Sequence, residues 1–512
     1  MFSAVSRRAA LLTSPVAALT LAACGSGSTS SSGGGGSDAP VLTIGSRSDV
    51  TEWDSAEFPS APVMIYIQAV YDTLLKRDPD GTLVPMLATE WEYDESRTAL
   101  SMTLRDDVTF SDGTPFDGDA VKANLERFRD AGGIQAATMI ELAEVEVVDS
   151  THVVLHLNQP DPAIEVYLSD IAGFMQSPAA FEDDTLKTEP VGSGAYSFNK
   201  GASVVGSEYV FDRNDDYWGE AAPFGQIRIK YMADETALLN ALKSGQIDTT
   251  IFGTVASAQE AEAAGFTYVP SEVDWAGMTW YDRGGELNPA LGDVRVRRAL
   301  NHAIDRELLL SQLQDGRGTI TDQIWGPDGV GFDASLDGTY GFDQDKARSL
   351  LSEAGFADGL EIVLPTGIGF DPTLQATLSQ QWSDVGVTVT WEQVEPSEFG
   401  DKLHGAEFAG TYLQWFQPVD WYLISQFVAG DAAWNVFKYQ DDTVNELVEN
   451  IRGSEGDEQE SLLKELNAYV VDQAWFGPFY RVEQLLFTND KVDVVPQAQQ
   501  GCPSLYNYSP AQ

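Results

Sequence analysis

The chain has 512 residues, and its acids outnumber its Lys and Arg 79 to 30, for a formal charge of −49. That balance excludes phosphate-neutralising surfaces, so nucleic-acid binding and charge-driven docking on anionic lipid are set aside. Hydrophobic residues make up 43% and aromatics 11%, so two to four well-cored domains are within reach and global disorder is not expected.

The N-terminus gives the first element. Arg7 and Arg8 precede an apolar run, "AALLTSPVAALTL" (9–21). At 13 residues it is short of the roughly 20 that span a bilayer and suits a signal peptide, residues 1–23. "LAAC" (21–24) places small residues before Cys24, the pattern of a bacterial lipobox, and predicts a lipidated Cys24. Residues 25–38, "GSGSTSSSGGGGSD", are Gly and Ser with no apolar side chain, a flexible tether. The processed chain then carries one other cysteine, Cys502, and no intramolecular disulfide.

From residue 40 helix and strand signals alternate. "VLTIGS" (41–46) alternates as a strand, and "APVMIYIQAVYDTLL" (61–75) reads as a helix. "ALSMTLRDDVTF" (99–110) is a hairpin arm, "DAVKANLERFRDAGG" (119–133) a helix, and "EVEVVDSTHVVLHL" (144–157) two strands joined by "DST". Three helices start on acids: "DETALLNALKSG" from Asp234, "GDVRVRRALNHAIDRELLLSQL" after Asp293 and "DQDKARSLLSEAG" from Asp343. Strand-like runs at 227–232, 360–365 and 387–394 complete an α/β pattern.

Catalytic signals are sparse. His152 and His156 fall in a β-branched, alternating run with no third ligand nearby. His302 and His404 stand alone, and no nucleophile elbow or phosphate loop is present. The chain is read as a non-enzyme without a cofactor. Arg295, Arg297 and Arg298 are read as a solvated helix start paired with neighbouring acids.

Eight blocks, in order, resemble the bacterial extracellular solute-binding proteins of family 5: "VYDTLLKRDPDGTLVPMLATEWEYD", "TLRDDVTFSDGTPFDGDAVKANLERF", "PVGSGAYSF", "NDDYWG", "ALKSGQID", "DVRVRRALNHAIDRELL", "ARSLLSEAGFADG" and "GVTVTWEQVEPSEF". The resemblance implies a two-lobed periplasmic-binding-protein-like fold, type II and cluster C, with a hinge and an interlobe cleft. It implies a first lobe of 40–87, 190–271 and 483–512, an extra subdomain at 88–189, and a second lobe of 272–482. It also implies an ABC permease with its ATPases as partner, a monomer, and a peptide or other small solute as ligand. Opines, oligosaccharides, metal complexes, a sensing role and an extracellular hydrolase remain as alternatives.

Within that resemblance "LQWFQPVDWYLISQFV" (413–428) is expected to line the cleft. In peptide-binding members a Trp there is followed three residues later by an Asp that pairs with the peptide amine. Trp415 matches the Trp, Pro418 stands at the Asp position, and Asp420 is the nearest acid. The expected ligand-binding set is Trp415, Asp420, Trp421, Trp434, Trp275, Tyr281, Trp325, Phe58 and Tyr480. Such aromatics can sandwich an apolar group or hold a cation by the π-face.

Overall fold

The computed structural model describes residues 39–57, 63–181, 185–367 and 370–512. The signal peptide, Cys24, all but the last residue of the tether (24–39) and Phe58 lie outside the described residues.

Two separate sheets organise the chain. The first has seven strands in the order Thr267–Val269, Leu485–Thr488, Thr249–Phe252, Val41–Ser46, Gln226–Tyr231, Glu208–Arg213 and Tyr196–Phe198. Val41–Ser46 runs parallel to both its neighbours, and the flanking pairs are antiparallel. Helices Glu235–Lys243 and Val255–Ala263 cover part of it, burying Leu238, Leu242 and Ala258 against Phe252 and Phe487. Both helices begin where the sequence offers a cap: the Asp234 side chain accepts from the Ala237 N–H and the Thr254 side chain from the Ser257 N–H.

The second sheet is antiparallel, in the order Thr319–Ile320, Phe476–Glu483, Glu272–Trp280 and Gly410–Phe416. The parallel pair Leu360–Thr366 and Val387–Gln393 adjoins it. A further four-stranded antiparallel sheet, built from residues 88–157, packs beneath helix Gly118–Asp130. These layers form the two-lobed α/β architecture with an extra subdomain.

The chain passes between the two large sheets twice, between Val269 and Glu272 and again through Gln484 alone. The two connections touch: the Gln484 N–H donates to the Ser271 carbonyl at 2.7 Å. A pair of short, adjacent connections is what a hinge between lobes requires. Side chains also join the two parts of the chain. Arg97 reaches Glu455 at 2.5 Å, and Arg452 donates to the Pro160 carbonyl at 3.3 Å while lying over the Trp421 ring.

Several local expectations changed. The helix read over 61–75 is only Met64–Val70, after which Tyr71 turns extended and Leu75–Arg77 forms a strand. Gly192 and Gly194 of "PVGSGAYSF" press on that turn. A Cβ on either would come within 2.2 Å or 2.5 Å of Val70 backbone atoms, so the bend and the two glycines require each other. The long helix after Asp293 is two helices, Val294–His302 and Arg306–Gln314. Asp305 breaks it by capping the second, its carboxylate accepting the Leu308 N–H. His152 and His156 do sit on a strand, bonded to Asp149 and Glu146. Of the three arginines, Arg295 pairs with Asp293 and Arg298 with Asp472, but Arg297 is buried and serves the Leu291 and Gln473 carbonyls.

Candidate ligand-binding site

Between the lobes lies a cavity of about 770 Å³, within the range of small-molecule sites. One wall comes from the second lobe, where the strand Gly410–Phe416 runs out. Pro418 ends the pairing; helix Asp420–Leu423 and a π-helical turn, Ile424–Val428, bring the chain back. This return brings Trp415, Phe416, Tyr422 and Trp434 to one surface. Trp415 meets Trp434 edge-on with ring centres 5.2 Å apart, and Phe416 meets Tyr422 at 5.6 Å.

The opposite wall is assembled from distant segments. Met64 and Gln68 come from the short helix, Thr138 and Tyr167 from the subdomain, and Gln499 to Pro503 from near the C-terminus. Tyr167 faces Tyr422 across the gap at 6.3 Å. Arg77 and Asp170 also line the cavity. So does Cys502, whose thiol burial pushes up to about 12, which keeps it in the thiol form near neutral pH.

The expected residues divide into three groups. Trp415 and Trp434 line the cavity. Trp275 and Tyr281 form a layer behind them: Tyr281 stacks on Trp434 at 6.5 Å, and Trp275, fully buried, packs on Phe427 and Phe476. Trp421, Trp325 and Tyr480 are core residues away from the lining. Trp421 lies under Arg452, Trp325 against Gly331, and Tyr480 beside Phe479. The correction has a simple cause: large aromatics are the most effective core fillers, so their density marks the core as readily as the cleft.

Asp420 is also placed elsewhere. It is buried, and its Oδ2 accepts the Gly331 N–H at 3.0 Å. It organises the loop beside Trp325 rather than facing the cavity. The acid that does face the cavity is Asp170. Phe416 and Tyr422 shared the stretch that flagged Trp415. Arg77 and Asp170 carried no signal, because only folding brings "LLKRD" and "YLSDI" together.

Burial pushes the Asp420 carboxyl up to about 6, against an unfolded value of about 3.9. A raised folded-state pKa means protonation favours the fold. That stability is fully present below about pH 4 and is lost as pH rises through about 6. Asp420→Asn, neutral throughout, is therefore expected to gain about 1–3 kcal/mol on the native protein between about pH 4 and 7.5. Urea unfolding at both pH values checks this; a difference that does not change with pH contradicts it.

Among the described residues no group of three or more His, Cys, Asp or Glu could hold a metal ion. No described helix is long and apolar enough to cross a membrane.

A hinged pair of lobes around an aromatic-walled cavity defines a solute-binding protein fold. The chain belongs to the bacterial extracellular solute-binding proteins, family 5, whose model matches residues 82–431. It is 28% identical over 311 residues to the nickel-binding periplasmic protein of Escherichia coli, covering 58% of this chain and 57% of that protein. It is 24% identical over 455 residues to heme-binding protein A of Haemophilus influenzae, covering 79% and 80%. The match thus spans little more than half the length of the first relative. The fold superposes on HbpA2 from Haemophilus parasuis with a TM-score of 0.82 at 20% identity, covering 92% of this chain and all of that one.

Proposed function

We propose that this protein is the substrate-binding subunit of an ABC importer, held at the outer face of the cytoplasmic membrane by an acylated Cys24. It captures an oligopeptide-like or other amphipathic solute between its lobes, performs no chemistry, and presents the closed form to the permease. The observation that carries this is the cavity, walled by Trp415, Phe416, Tyr422 and Trp434 on one lobe and roofed by the other. A ligand that touches both walls stabilises the closed state by its differential contacts. The lobe limits proposed are 40–87, 190–271 and 483–512 against 272–482, with 88–189 as the subdomain; the strand crossings at 270–271 and Gln484 support them.

Asp420 is occupied by the Gly331 N–H, so recognition of a free amine is not assigned to it. The wall is instead suited to an apolar or aromatic body. Family membership and the nickel-, heme- and peptide-binding names among its relatives support the transport role.

A thermal-shift screen of peptides, aromatic acids, sugars and metal complexes tests the function. A ligand at a hundredfold excess over its Kd adds about 2.7 kcal/mol to stability, so a clear rise in melting temperature is expected for at least one class. No shift with any class contradicts solute binding.

A further inference from the structure

The cavity is mostly apolar, and among its described lining residues Arg77 and Asp170 carry the only permanent charges. Arg77 closes the short strand Leu75–Arg77, and its side chain is only 4% exposed. A guanidinium has five N–H donors in a planar fork. Arg77 uses one of them, from Nη2 to Asp170 Oδ2 at 3.4 Å, and its Nε has no hydrogen-bond partner among the described residues. Asp170 is a loose partner. Its Oδ1 accepts the Ile171 N–H at 2.8 Å, its Oδ2 also meets Gln500 at 3.4 Å, and its side chain is 34% exposed.

A buried cation with idle donors is costly unless something completes its shell. Burial pulls the Arg77 guanidinium below its ordinary value, and Asp170 offsets that only in part. A polar recess beside the cavity, bordered by Gln68, Lys76, Gln500, Ser504 and Tyr506, adjoins the same guanidinium. Lys76 is paired with Asp78 at 3.5 Å and lies over the Tyr506 ring, so an anion entering from the cavity meets Arg77 as the cation on that side, with neutral hydrogen-bonding groups beside it.

We propose that Arg77 is the anion-recognition residue of the cavity, and that the solute is an amphipathic monocarboxylate whose apolar body lies against Trp415, Phe416, Tyr422 and Trp434. The proposal rests on the solute-binding function above and names the charge class of its ligand. A carboxylate matches the guanidinium fork with two parallel hydrogen bonds. A single negative charge is favoured over two: Arg77 is the one Lys or Arg among the described residues lining the cavity, Asp170 stands beside it, Lys76 in the adjoining recess is paired with Asp78, and the protein as a whole carries −49.

The test is isothermal titration of the mature protein with aromatic dipeptides and aromatic monocarboxylates, each paired with its amide or methyl ester. Free acids are expected to bind about 10- to 100-fold more tightly than their neutral partners. Arg77→Gln should bind acid and amide alike, and Arg77→Lys should keep part of the preference, because the charge remains and the fork is lost. Asp170→Asn should keep or increase the acid preference. If Arg77 and Asp170 were only a structural pair, Asp170→Asn would behave as Arg77→Gln does. The proposal is overturned if the native protein binds acid and amide equally, or if Arg77→Gln retains the preference. Binding of neutral or cationic compounds without the acids overturns the role of Arg77 alone. Binding of none of these compounds, with a sugar or metal complex raising the melting temperature in the screen above, overturns this inference and leaves the solute-binding function standing; no shift with any class overturns both.

Discussion

Arg306→Ala is expected to lower the stability of the second lobe by about 3–5 kcal/mol, the usual cost of breaking a buried ion pair from one side. Arg306 begins the helix Arg306–Gln314, and its side chain is 4% exposed. It pairs with Asp322 at 3.1 Å, itself only 2% exposed. The same guanidinium donates to the carbonyls of Pro478 at 2.7 Å, Tyr340 at 3.0 Å and Asn301 at 3.1 Å. It thus ties together the helix Val294–His302, the loop at Tyr340 and the strand Phe476–Glu483. Truncation leaves a buried carboxylate without its counter-charge and takes a donor from the Pro478 and Tyr340 carbonyls, while the Asn301 carbonyl keeps the Ile304 N–H. Asp322 keeps only its bonds from the Gly338 and Tyr340 N–H groups. Urea unfolding measures the loss; a change below about 1 kcal/mol would show that solvent or a neighbour replaces the guanidinium.

The largest functional effect is expected from Trp434→Ala. Trp434 stacks on Phe427 at 5.7 Å and on Tyr281 at 6.5 Å, and meets Trp415 edge-on at 5.2 Å and His404 at 5.2 Å. It faces the cavity with its front and leans on a second aromatic layer with its back. Removing it takes away a ligand surface and lets Trp415 and His404 relax into the gap. Aromatic pairs contribute about 0.5–1.5 kcal/mol each beyond their buried area. Truncating an aromatic anchor at the centre of a site costs about 2–3 kcal/mol, which predicts binding weaker by about 30- to 150-fold. Trp434→Phe should recover much of the loss. Titration with a ligand found by screening decides it, and undiminished binding by Trp434→Ala would remove this wall from the site.

The fold was legible in the sequence because its determinants are local and ordered. Caps at Asp117, Asp234 and Asp343 set helix starts, and the hairpin at 144–157 announced itself by alternation and "DST". Where competing signals met, pattern alone was insufficient. The apolar periodicity across 294–313 ran straight over Asp305, whose cap splits it. The helix expected over 61–75 lost its last turn to the close approach of Gly192 and Gly194.

The site was legible in part. Trp415 could be found because its position relative to a recognisable strand carries over with the family. Trp434 was found among aromatics clustered in the second lobe. Trp275, Tyr281, Trp325, Trp421 and Tyr480 share that chemistry, but packing turned them into the layers behind. Arg77 lies 93 residues from Asp170, and no short-range pattern tells a buried arginine in a strand from an exposed one. The Gln499–Pro503 segment returns to the cavity only after the chain has crossed the hinge a second time.

The central claim is that solute binds in the interlobe cavity and nowhere else. Ala433 lines the cavity from an exposed loop position, so Ala433→Trp places a bulky ring against the aromatic wall and narrows the cavity without disturbing a core. The direct measurement is the thermal shift of native protein and of Ala433→Trp with the same screened ligand. The native protein is expected to gain stability with ligand concentration while Ala433→Trp, melting at the native temperature without ligand, gains none. Equal shifts in both would place the ligand outside the cavity and contradict the account.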